Sequence, residues 1–206
     1  MSFTLPKIYP ITDTRISGIS HSEQVRHLIA GGARIIQLRE KHAAPLDWFV
    51  DAKNAAEVCR KKDVVLIVND RSDVAMAIGA DGVHLGQTDM PPVAARRLLG
   101  DDAVIGFSTH TLEQVREAIE LPVDYIAFGP VFPTTTKIDP DAVVGLEMLA
   151  QVREIAGTIP LVAIGGITFE NARSVLDAGA DSLAMIGALL AQASQIEEQT
   201  KRFILF

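Results

Sequence analysis

Short apolar runs alternate with longer stretches in which apolar residues recur every three or four positions, from one end of the chain to the other. The short runs predict strands over 7–12, 34–39, 64–69, 82–85, 104–108, 125–129, 161–165 and 182–186. They are almost wholly apolar, as parallel strands covered on both faces must be. The longer stretches predict helices. Ser20 and Glu23 have the spacing of a capping box ahead of Val25, Leu28 and Ile29, and Thr111 and Gln114 repeat it ahead of Val115, Ala118 and Ile119. Thr168 is placed to cap a helix running through Val175 and Leu176. Gly32-Ala33, Gly79-Ala80-Asp81 and Gly179-Ala180-Asp181 each close a helical stretch just before a strand, a weak internal repeat with glycine as left-handed stop.

Eight β/α alternations without a linker predict a single α/β domain over residues 1–206, a (β/α)8 TIM barrel. A doubly wound open sheet is the alternative, but Gly165-Gly166 has no third glycine in phase for its usual fingerprint. In either fold, function belongs at the carboxyl ends of the strands. Composition narrows the class of ligand. Hydrophobic residues make up 48 % and charged residues 22 %, values of a soluble globular protein. A net charge of -7 argues against broad binding of nucleic acid or acidic membranes. The longest apolar run, 183–191, is far short of the ~20 residues of a membrane helix, and no basic-then-apolar leader precedes Pro6 and Pro10. A single cysteine, Cys59, excludes an intrachain disulfide and suits a reducing, cytoplasmic setting.

Polar residues collect where the strands end. Strand alternation puts Gln37, Arg39 and Lys41 on one side and Ile36 and Leu38 on the other, so two cations and an amide project together, an arrangement suited to pyrophosphate. Asn69 and Asp70 follow the third strand, and Gln87 and Asp89 the fourth. Neighbouring strands lie ~4.8 Å apart, so Asp70 and Asp89 can converge on a Mg²⁺ ion; singly, each is equally a helix cap. Thr134, Thr136 and Lys137 occupy the loop after the sixth strand, as a phosphate site or a polar surface loop. Gly165-Gly166-Ile167 and Ile186-Gly187 fall where many barrels bind phosphate through backbone N–H groups. His110, after Ser108 and Thr109, is a candidate acid or base, though more often such a residue only bonds to a neighbour. His84 reads as a satisfied core residue and Cys59 as packing.

Five segments together resemble the thiamine-phosphate synthase family: Gln37 to Lys41, Val68 to Arg71 with Asp73, Gly79 to Gln87 with Asp89, Gly129 to Thr134 with Thr136-Lys137, and Ala163 to Ile167. The resemblance runs from about Tyr9 to Leu190. It implies a barrel that joins hydroxymethylpyrimidine pyrophosphate to hydroxyethylthiazole phosphate, releasing pyrophosphate with the aid of Mg²⁺. By that analogy Gln37, Arg39, Lys41 and Asn69 hold the pyrimidine pyrophosphate, and Asp70 and Asp89 bind the metal. Ser108 and Lys137 contact the pyrophosphate and join Arg39 and Lys41 as the catalytic set. Thr134 and Thr136 take the thiazole phosphate, and Gly166, Ile186 and Gly187 complete its pocket. Gly187 stands where the family usually has serine, which removes a hydroxyl contact worth ~0.5–1.5 kcal/mol.

Two other functions fit parts of the pattern. A thiazole tautomerase of the same barrel group would use His110 to move a proton and would have no need of Asp70 and Asp89. A non-catalytic barrel that binds thiamine precursors would be consistent with Gly187. The helical stretch 188–196 either pairs two copies in a homodimer or packs on its own barrel.

Overall fold

The computed structural model describes residues 4–134 and 141–206. Its strands are β1 (Ile8–Thr12), β2 (Ile35–Leu38), β3 (Val65–Asn69), β4 (Gly82–Leu85), β5 (Val104–Thr109), β6 (Tyr125–Phe128), β7 (Leu161–Ile164) and β8 (Ser182–Met185). Each pairs in parallel with the next, and β8 returns to β1 through Ile8 opposite Leu183, closing the barrel. Around it lie α1 (Thr14–Ser17), α2 (His21–Ala30), α3 (Pro45–Lys61), α4 (Ser72–Ile78), α5 (Pro92–Leu99), α6 (Leu112–Ala118), α7 (Gly145–Ala156), α8 (Ala172–Asp177), α9 (Gly187–Leu190) and α10 (Ile196–Ile204). The (β/α)8 fold implied by the alternation is the fold observed. Because every strand is parallel, all eight carboxyl ends open on one rim.

Strand alternation divides the core in two. Tyr9, Ile11, Ile35, Ile67, Val104, Tyr125, Ala127, Val162 and Ala184 fill the barrel. Their neighbours, such as Ile36, Leu66, Val83, Ile105 and Leu183, face the helices. Gly106 on β5 makes room inside: a Cβ there would lie 2.0 Å from the Tyr125 ring.

Local signals were followed unevenly. Ser20 and Glu23 form the full capping box of α2. Thr111 caps α6 by accepting from Gln114 N–H, but the Gln114 side chain accepts from His110 N–H, one residue earlier than a reciprocal box requires. Thr168 does not cap α8. Asn171 precedes that helix, and its carbonyl accepts from Thr168 N–H at 2.8 Å, so the side-chain bond runs backwards into the loop. Gly79 is the expected left-handed stop of α4, whereas α2 ends at Gly31 in a helical conformation with Gly32 beyond it at φ 102°. In the stretch 188–196, Leu189, Leu190 and Ile196 are buried in the chain's own core, so the packing alternative describes them.

Candidate active site

The rim begins with Asp13, just past β1. Its Oδ1 caps α1 by accepting from the N–H groups of Arg15 (3.0 Å) and Ile16 (3.3 Å), and its Oδ2 accepts from Arg39 at 2.5 Å. Arg39, just beyond β2, is therefore held by a neighbouring strand end. Glu40 is held more firmly still. One carboxylate oxygen accepts from the backbone N–H groups of Lys41 (2.7 Å), His42 (2.6 Å) and Ala43 (3.0 Å). The other accepts from the Thr14 hydroxyl and His21 Nε2, both at 3.1 Å. Burial alone would raise the Glu40 pKa, but the His42 and Ala43 N–H groups, with His21 and Thr14, hold it down to about 2.

His21 is not the cation of an ion pair here. Burial lowers its pKa, against the opposing pull of Glu40, and its Nδ1 lies 2.6 Å from the Thr12 hydroxyl. A neutral imidazole that donates from Nε2 to Glu40 and accepts from Thr12 satisfies both contacts. Thr12 in turn accepts from Arg39 N–H at 3.3 Å. The segment carrying Arg39 and Lys41 is thus fixed on each side by hydrogen bonds to its backbone.

Asp70 sits just past β3 at φ 62°, a left-handed conformation that aspartate tolerates better than most residues, and its N–H donates to the His84 carbonyl at 2.8 Å. Its carboxylate pairs with Lys41 and lies within hydrogen-bond reach of Asp89. Burial raises the Asp89 pKa and nearby Asp70 adds to it, against the Gly86 N–H and the Lys41 charge. Neither aspartate caps a helix: α4 is preceded by Arg71 and α5 by Pro91. Asp89 instead accepts from Gly86 N–H at 2.7 Å within its own loop. Beside them the side-chain nitrogen of Asn69 is buried and has no hydrogen-bond partner among the described residues. Among the described residues no three His, Cys, Asp or Glu side chains gather into a metal cage.

Beneath the rim a polar chain crosses the barrel. Gln37 Nε2 donates to the Tyr9 hydroxyl (3.1 Å), which meets the Tyr125 hydroxyl at 2.8 Å. Tyr125 meets His84 Nδ1 at 2.9 Å, and His84 Nε2 meets Ser108 Oγ at 2.8 Å. His84 is thus a bonded interior residue, and burial lowers its pKa to about 4. Gln87 reaches across to the Ser108 carbonyl at 2.6 Å.

On the opposite arc Thr134 is half-buried after β6, and Gly166 after β7 packs against the same loop. At φ 61°, with a Cβ that would fall 2.5 Å from the Pro133 carbonyl, position 166 accepts only glycine. Ile186 and Gly187 open the four-residue α9 after β8. Thr136 and Lys137 lie outside the described residues. His110 has its Nδ1 2.7 Å from the Gly129 carbonyl and 3.6 Å from Asp141. Cys59 is buried and its thiol is pushed up to about 12, mainly by burial.

The strand ends β2 to β5 therefore carry Arg39, Lys41, Asn69, Asp70 and Asp89 at the rim, with Gln37 and Ser108 just beneath, and Thr134, Gly166, Ile186 and Gly187 follow β6 to β8. Sequence reasoning missed Asp13 and Glu40. Asp13 stands at the end of β1 as Asp70 does at the end of β3, a positional signal that was available. Glu40, of opposite parity to its cationic neighbours, gave none.

Fold and rim together define a (β/α)8 barrel with charged and polar side chains collected at the carboxyl ends of its strands. The model of the thiamine monophosphate synthase family matches residues 8–189, and the chain belongs to that family. It is 48 % identical over 185 residues to a thiamine-phosphate synthase from Clostridium novyi, covering 89 % of this chain and 90 % of that protein. To the thiamine-phosphate synthase of Methanocella arvoryzae it is 48 % identical over 187 residues, or 90 % and 87 % of the two chains. A solved thiamine phosphate pyrophosphorylase from Pyrococcus furiosus superposes with a TM-score of 0.85 at 39 % identity, over 97 % of this chain and 95 % of that one. Among the described residues no helix is long and apolar enough to cross a membrane.

Proposed function

We propose that this chain makes thiamine phosphate from hydroxymethylpyrimidine pyrophosphate and hydroxyethylthiazole phosphate, with loss of pyrophosphate. One observation carries the reading: Asp70 and Asp89 come within hydrogen-bond reach at neighbouring strand ends, with Lys41 paired to one of them and Arg39 on the adjoining loop. Two crowded carboxylates, one with a raised pKa, are a donor set short of positive charge, and hard oxygen donors suit Mg²⁺. Asp70 and Asp89 would hold that ion, which supplies charge neutralisation for the diphosphate when bound.

The pyrimidine ring is electron-rich, so its methylene carbon tolerates positive charge as the bond to the diphosphate oxygen breaks. The demand on the protein is then to stabilise negative charge on the leaving group. Arg39 offers a planar fork and Lys41 a point charge; both arrive already oriented by carboxylates, for which an anion can compete. Ser108 adds a hydroxyl, Lys137 a further charge, and Asn69 a buried amide donor. Gln37 addresses the ring. Thr134, Thr136 and the backbone at Gly166, Ile186 and Gly187 take the thiazole phosphate. The attacking thiazole nitrogen carries no proton, so no general base is required.

The test is pyrophosphate release from purified protein given both heterocycles and Mg²⁺. Asp89→Ala should lower the rate at least about 100-fold, as expected when charge stabilisation worth several kcal/mol is lost with the metal, while His110→Ala keeps most of it. The reverse ranking would point to proton transfer by His110. No release, with tight binding of thiamine phosphate, would indicate a regulator.

A further inference from the structure

Asp13 is fixed from two sides before it meets Arg39. Its backbone N–H donates to Gln24 Oε1 at 3.0 Å, and Gln24, wholly buried in α2, donates in turn to the Ile19 carbonyl at 3.0 Å. Its Oδ1 is taken by the first N–H groups of α1, which holds Oδ2 in one place. Thr12 lies opposite Leu38 across β1 and β2, so the next residues, Asp13 and Arg39, come level with each other just past the strand ends. Both share the parity of Ile11 and Ile35, which fill the barrel. The two loops then continue side by side: Thr14 donates to Glu40 at 3.1 Å, and Arg15 Nη1 meets His42 Nε2 at 3.0 Å.

Asp13 grips Arg39 by a single nitrogen. A guanidinium can meet a carboxylate or phosphate with two parallel bonds through its Nε–Nη2 edge. Arg71 uses that edge on Asp73, with Nε at 2.8 Å and Nη2 at 2.6 Å. Arg39 gives Asp13 only Nη1, at 2.5 Å, so it is held without committing that edge to its holder. Capping alone does not call for a charge, since serine or asparagine would cap α1 as well. A carboxylate that is 8 % exposed does need a cation beside it, because an unpaired buried charge is costly. The pairing with Arg39 is therefore what the carboxylate adds to the cap.

We propose that Asp13 is a positioning residue: it holds Arg39 by Nη1 and turns the Nε–Nη2 edge of the guanidinium to the departing diphosphate. The proposal rests on the synthase reading for the identity of that anion. Tied to both α1 and α2, Asp13 keeps its place as the anion arrives, so the guanidinium is shared between the two and enters the reaction already oriented.

Two measurements test it. In ligand-free protein labelled with ¹⁵N-arginine, with Arg39 assigned by Arg39→Lys, the Nη1 and Nη2 signals should be separate, because the pair stops the guanidinium turning, and should merge in Asp13→Asn. A merged signal in wild type, or separate signals that persist in the variant, overturns the proposal. In the coupling assay, Asp13→Asn and Asp13→Ser both keep a cap for α1. Each should lower kcat about 10-fold, the loss expected for a weakened bond to a charged group, with the KM for thiazole phosphate unchanged. In an Arg39→Gln background neither should lower kcat further. Equal losses in both backgrounds would show that Asp13 acts through the fold alone, and a kcat that holds or rises would show that it only competes with the diphosphate; either overturns the proposal. If the wild-type protein releases no pyrophosphate, the synthase reading fails, and the arginine signals alone decide whether Asp13 positions Arg39.

Discussion

Replacing Glu40 by glutamine keeps its shape and removes its charge, which isolates the cradle that holds the cationic segment. The carboxylate is 6 % exposed and receives five hydrogen bonds, three from consecutive backbone N–H groups. A depression from 4.5 to about 2 corresponds to at most about 3.4 kcal/mol favouring the folded state. An amide keeps one accepting oxygen for the three backbone donors but turns an NH₂ toward Thr14 and His21, where it opposes the His21 Nε2–H. Glu40→Gln should therefore unfold at lower urea concentration at pH 7, with a stability loss of about 2–3 kcal/mol. The sign of the pH effect follows from the depressed pKa: the contribution is complete above 4.5 and disappears as pH falls toward 2. Most of the difference between variant and wild type should accordingly be gone at pH 3, read from urea titrations at each pH. Arg39 and Lys41 flank the cradle, so kcat/KM for the pyrophosphate-bearing substrate should fall as well. A variant as stable as wild type at pH 7, or a gap that is unchanged at pH 3, would refute the argument that charge on Glu40 organises this segment.

Three other expectations follow from buried groups. Burial lowers the His84 pKa from 6.5 to about 4, so the unfolded chain binds the extra proton first; stability should drop by about 3 kcal/mol as pH falls from 6.5 to 4, and His84→Gln should flatten that slope in urea titrations. Gly106→Ala forces a methyl into the Tyr125 ring and should cost at least about 2 kcal/mol, seen as a lowered urea midpoint. With its thiol pushed up to about 12, Cys59 should stay unlabelled by a disulfide reagent at pH 8 until urea unfolds the chain.

The sequence pattern revealed which way a side chain faces far better than which side chains meet. Gln37, Asn69 and Ser108 lie an even number of positions from Ile35, Ile67 and Val104 on their own strands, residues that fill the barrel, so parity alone puts them on the inward face. Their position near strand ends put most of them close to the rim. Parity is local and survives a boundary error of a residue or two, such as a β2 that spans Ile35–Leu38 where 34–39 was expected.

What parity cannot convey is height along the barrel axis, which is set by register accumulated around the closed sheet. Tyr9 and Tyr125 are 116 residues apart on strands that do not pair, yet their hydroxyls meet because their heights coincide. Nothing on either strand marks that coincidence; Gly106, whose missing side chain admits the Tyr125 ring, is its one trace in the sequence. Loop geometry hides for a different reason. Glu40 gathers its backbone donors because the chain curls around it after β2, and the same five letters in an extended segment would point it to water. Asp13 fell between the two cases, since its place after β1 was readable but its partner Arg39 required strands β1 and β2 to be laid side by side with Ile11 opposite Gln37. The chemistry of the rim was thus readable where each residue acts by type and face. The scaffold that aims it depends on heights and turns, and these exist only once the barrel has closed.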